Sequence, residues 1–167
     1  PQQCNGCHGG ATSDAPPLDV SGQSSTTSPG VGAHQAHLVG SGRARMVPCA
    51  ECHVVPSQWD ASGHVDSASP AELTFSGVAT AGGAKPSYSG GGCQKSYCHG
   101  GSFPKGNSGG ALTEPSWTQV DGTQAACGSC HGLPPAPPHV SSTNCSFCHK
   151  NVDASLKKQG NRSGGEK

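Results

Sequence analysis

Apolar positions are sparse along this chain, and only three stretches carry a pattern that predicts an element. Gly32 to Leu38 reads GAHQAHL. His34 and His37 stand three apart and share one face of a helical turn, so a short helix presenting two imidazoles is predicted there. Residues 71–79, AELTFSGVA, carry Leu73, Phe75 and Val78 and have a weak strand-like flavour. Gly77 and Gly82-Gly83 keep any strand short. Val152 to Lys158 allows one or two helical turns in the tail, with an exposed end beyond Gly160. Between these stretches the chain is polar. Residues 11–33 are rich in Ser, Thr, Gly and Pro, with Pro16-Pro17 and Pro29-Gly30, and read as irregular chain. Residues 80–92 read as a Gly-rich loop, and residues 100–126 as a polar spacer carrying Trp117. No apolar run approaches the roughly 20 residues of a membrane span. The predicted fold class is mostly irregular coil with short helices, some of them just after cysteine motifs, and little or no sheet.

Composition deepens the problem. Leu, Val and Phe together make 20 of 167 residues, with no Ile. That is below the roughly 20% at which chains begin to look disordered. Gly 26 and Pro 14 account for close to a quarter of the chain. Side-chain burial alone cannot offset the ordering entropy of such a polypeptide. Disorder is one reading; a large apolar cofactor as the interior is the other. Ten cysteines and nine histidines favour the cofactor. Lys+Arg and Asp+Glu are 10 each, so no basic block points to nucleic acid.

All ten cysteines fall in five pairs, each followed directly by histidine. The motifs are Cys4, Cys7 and His8; Cys49, Cys52 and His53; Cys93, Cys98 and His99; Cys127, Cys130 and His131; and Cys145, Cys148 and His149. Cys-x-x-Cys-His is the attachment signature of c-type haem. The thiols add to the porphyrin vinyl groups and the imidazole binds one face of the iron. The third motif has four residues between its cysteines. Its end, Cys98-His99-Gly100-Gly101, repeats Cys7-His8-Gly9-Gly10, which suggests the same chemistry with a looped-out linker. Structural zinc does not need a histidine after every second cysteine. Redox-active dithiols need a βαβ scaffold that the pattern does not offer. A disulfide framework explains the even cysteine count but not the histidines. The expectation is five covalent haems.

Five haems have ten axial positions. His8, His53, His99, His131 and His149 fill the five proximal ones. His34, His37, His64 and His139 remain as distal candidates, one short of five. Met46, three residues before Cys49, either supplies a His/Met haem, which raises the potential, or packs on a porphyrin face. The other readings are an open or water-ligated iron, and a ligand missing because the chain is truncated. One haem is therefore expected not to be bis-histidine.

GAHQAHL, CAECHVVP, His64 with the following Asp66, AELTFSG, YCHGG and CGSCHGLPP together resemble the multihaem cytochromes with mixed CxxxxCH and CxxCH sites of Geobacter-like bacteria. The likeness spans roughly residues 1–150. It implies electron transfer outside the cytoplasm, with His34, His37, His64 and His139 as distal ligands. The chain is also similar in style to cytochromes that polymerise into extracellular haem filaments. Family members often carry a further histidine after the last haem site; residues 150–167 contain none.

The expectation is a single pentahaem domain over residues 1–150, wrapped around stacked haems, with a tail at 151–167. It is expected to relay electrons and not to be an enzyme. Its partners are expected to be other redox proteins or extracellular acceptors, with head-to-tail self-association fixed by a donated histidine such as His34 or His37. The expected location is extracellular or the outer cell surface, with the periplasm as alternative, after removal of a signal peptide. The alternatives in function are a monomeric periplasmic shuttle and a multihaem reductase with one open haem.

Overall fold

The computed structural model describes residues 4–11, 13–39, 45–103, 110–135 and 137–149. Regular structure is scarce among them. One α-helix, α1, spans His34–Leu38, where the sequence predicts it. One antiparallel hairpin pairs β1, Ser87–Ser89, with β2, Gly92–Gln94. Short 3-10 turns cover Cys4–Gly6, Cys49–Glu51, Tyr97–His99 and Cys145–Phe147. These turns lie on the cysteine motifs and not after them, which corrects the sequence expectation. The tail, including Val152 to Lys158, lies outside the described residues.

Two further expectations are corrected. Residues 71–76 form no strand, and Gly77–Gly83 is a 3-10 segment broken at Ala81 and Gly82. β1 lies instead in the stretch read as Gly-rich loop, and β2 runs from its last residue into the third cysteine motif. Gly90 and Gly91 have φ of 58° and 79°, the paired left-handed conformation of the tightest hairpin turn, which two glycines adopt without steric cost.

The interior confirms what composition implies. The buried hydrophobic residues among those described are Ala15, Val31, Ala79 and Ala84. Larger apolar side chains stay exposed beside the motifs: Met46, Val54 and Val55 flank Cys49–His53, and Phe147, 86% exposed, lies within Cys145–His149. Spacer backbone replaces a side-chain core by lacing onto the motifs. Thr74 and Ser76 donate to Cys52 O and Glu51 O, at 2.8 and 2.9 Å. Ala111 and Leu112 donate to Gly128 O and Ser129 O, at 2.8 and 3.0 Å. Cys93 donates to Pro115 O at 3.1 Å.

Glu51, inside the second motif, is the buried charged residue among those described. It is 8% exposed. Its carboxylate accepts from the buried Ala79 N–H at 3.1 Å and from Arg45 at 3.1 Å. Removing it strands a buried donor. Glu51→Ala is expected to lower unfolding stability by roughly 1–3 kcal/mol, and Glu51→Gln by less, because the amide oxygen still accepts. Denaturant unfolding checks this; equal losses in both variants would show that the charge matters more than the hydrogen bond.

Candidate haem-binding sites

The second and fifth motifs are each closed by their own backbone. In the second, Cys52 and His53 both donate to Cys49 O, at 3.1 and 2.9 Å. In the fifth, His149 donates to Cys145 O at 2.8 Å. One turn therefore gathers both thiols and the imidazole. The third motif reaches the same end differently. Cys93 sits on β2 opposite Tyr88, and Cys98 lies in the Tyr97–His99 turn. Lys95, with φ of 53°, makes the left-handed step between them that absorbs the longer linker. Cys7, Cys49, Cys52, Cys93, Cys98, Cys130, Cys145 and Cys148 are free thiols. Among the described residues no group of three or more His, Cys, Asp or Glu could hold a metal ion by itself.

The histidines are organised in pairs. His34 faces His53 with ring centroids 6.3 Å apart and planes at 25°. His37 faces His99 at 6.2 Å and 76°. His139 faces His149 at 6.2 Å and 3°. Each pair joins a distal candidate to a proximal one. Bonds of about 2.0 Å from a metal to Nε2 on opposite faces, with roughly 1.1 Å from nitrogen to ring centre, put centroids about 6.2 Å apart. The three spacings fit one iron between each pair, and the exposed apolar side chains beside the motifs fit a macrocycle around it.

Ring orientation fits as well. The Nδ1 atoms of His34, His37, His53, His64, His131 and His139 contact backbone carbonyls of Val31, Ala33, Glu72, Trp59, Gly132 and Val140, at 2.6–2.9 Å. A carbonyl only accepts, so Nδ1 carries the proton and Nε2 keeps its lone pair for a metal. Among the described residues His8, His64 and His131 form no such ring pair. Met46 is 63% exposed.

Two neighbouring motifs share one surface. Burial pushes the Cys52 thiol up to about 11, and the nearby Cys93 and Cys98 add to it. Burial also raises Cys93, and raises Cys98 with help from Glu51. Between the second and third motifs stands Trp117, which sequence reasoning left in a spacer. Its indole meets the His34 ring edge-on at 4.8 Å and lies near-parallel to the His37 ring at 5.7 Å. The signal that could have marked it is its rarity: it is one of two tryptophans.

Residues 92–131 match the family described as the Geobacter CxxxxCH...CXXCH motif. That match, over 40 of the 167 residues, supports a multihaem c-type cytochrome of the Geobacter style. No curated protein and no solved structure matches it. No helix among the described residues is long and apolar enough to cross a membrane.

Burial also pushes the His99 imidazole down from 6.5 to about 4, with His37 adding to the shift. Burial lowers His34 too, against the opposing bond to Val31. The fold thus requires neutral rings where the unfolded chain takes protons near pH 6.5. The resulting stability is fully present above pH 6.5 and is lost as pH falls toward about 4.

Proposed function

We propose that the chain is a pentahaem cytochrome that passes electrons from haem to haem outside the cytoplasm. The observation that supports this is the trio of imidazole pairs at 6.2–6.3 Å. In this reading each of the five motifs attaches one haem through its two cysteines and supplies the proximal histidine. His34, His37 and His139 complete the second, third and fifth sites. The haems supply one-electron chemistry at iron, while the chain supplies position, axial ligands and a low-dielectric wall.

The pairing narrows the ligand shortage. His8 and His131 are left with only His64 between them, so the site short of a distal histidine is the first or the fourth. Met46 lies beside the second site, where His34 already faces His53, and serves as packing. Arg45 is committed to Glu51, which supports a carrier over a reductase needing cations above an open iron. Head-to-tail assembly into an extracellular filament is part of the proposal. His34 and His37 face proximal rings of their own chain, so His64 is the ring left to cross such a contact. Its Nδ1 is anchored to Trp59 O at 2.6 Å.

Intact mass should show five covalent macrocycles. Electron paramagnetic resonance of the oxidised protein should separate the pairs. Near-parallel imidazole planes split the iron d orbitals and give rhombic low-spin signals, expected at the second and fifth sites. The 76° pair at the third site leaves them nearly degenerate and gives a signal of large maximal g. His139→Ala should convert one rhombic signal to high spin and spare the rest. Fewer than five haems, or five identical bis-imidazole signals, would overturn the assignment. Negative-stain images showing only monomers at high concentration would remove the filament.

A further inference from the structure

Trp117 touches two distal candidates that belong to different motifs. Its indole edge meets His34 at 4.8 Å and its plane runs along His37 at 5.7 Å. It is held from three directions. Its Nε1 donates to Pro29 O at 2.7 Å, across 88 residues of sequence. Its backbone N–H donates to Gly91 O at 2.8 Å, in the hairpin that carries Cys93. Its neighbour Ser116 is clamped by Gln124, which accepts from the Ser116 N–H at 2.7 Å and donates to Ser116 O at 2.8 Å. On the helix side the indole fills the space a side chain at residue 32 would need. A Cβ on Gly32 would lie 2.0 Å from Trp117 Nε1.

We propose that Trp117 is a positioning residue that sets the ring planes of His34 and His37 together, and so fixes the distal ligation of the second and third haems. This rests on the haem-ligand reading above. The Nδ1 bonds of His34 and His37 to Val31 O and Ala33 O fix one edge of each ring. Rotation about that bond is still open to each ring. A rigid indole lying across one and edge-on to the other closes that freedom for both. A mere packing tryptophan would stabilise the fold without selecting ring planes. The fifth site, His139 with His149, has no contact with Trp117 and is a built-in control.

The test uses the haem-loaded protein with Trp117→Ala, Trp117→Phe and Gly32→Ala. Trp117→Ala is expected to change the low-spin signals of the second and third sites and leave the fifth unchanged. Cyanide capture at those two irons should accelerate by roughly ten- to hundredfold, the usual range for losing a partner of a metal ligand. Trp117→Phe, which keeps a ring but loses the bond to Pro29 O, should restore most of the native signals. Gly32→Ala pushes the indole from the other side and should move the same two signals, which decides the matter if Trp117→Ala fails to load. Unchanged second and third signals in Trp117→Ala, or equal changes at all sites, overturn the proposal. A wild-type protein with fewer than five haems, or without bis-imidazole signals, overturns the underlying reading instead.

Discussion

An imidazole that donates its Nδ1–H to a backbone carbonyl holds its other nitrogen in one direction, and this bond carries much of the fold. Six histidines make it, and five of the six carbonyls lie within five residues of the ring in sequence. Closing so short a loop costs little chain entropy. Val31 is the largest fully buried side chain among the described residues, so there is no side-chain core to hold the rings, and local hydrogen bonds anchor one edge of each. The longer bond, His53 to Glu72 O, makes use of the AELTFSG stretch. That stretch lies along the second motif and donates to its carbonyls.

The spacers do the work that a hydrophobic core does elsewhere. Residues 74–76 lace onto the second motif, residues 111–112 onto the fourth, and Pro115 onto Cys93. Consecutive motifs are thereby drawn against each other. The raised thiols of Cys52, Cys93 and Cys98 report a shared dry surface between the second and third. At Gly100, just after the third motif, an added Cβ would stand 3.2 Å from Cys130 O of the fourth. A chain this lean leaves little protein between neighbouring sites.

The sequence announced the chemistry more clearly than the shape. The five cysteine–histidine motifs and the α1 helix could be read directly, because their signals are local: fixed spacing, and two histidines three apart. The strand expected over 71–79 failed because Leu73 and Phe75 have no sheet to join; the backbone of Thr74 and Ser76 between and beside them pairs with the second motif instead. The hairpin is not legible in the sequence because Gly90-Gly91 reads as part of a Gly-rich loop, although it forms the turn itself. Which distal histidine meets which motif could not be read at all. That pairing depends on Trp117 and on bonds such as Trp117 to Pro29, between residues far apart in the chain.

Helix α1 is only five residues long, yet both of its histidines face outward to different partners. Such a short element has no interior to absorb a shift. A nudge at one end tilts the whole peptide segment, and with it the ring at the other end. The two imidazoles it carries are therefore yoked: a shift of one ring is transmitted mechanically to the other.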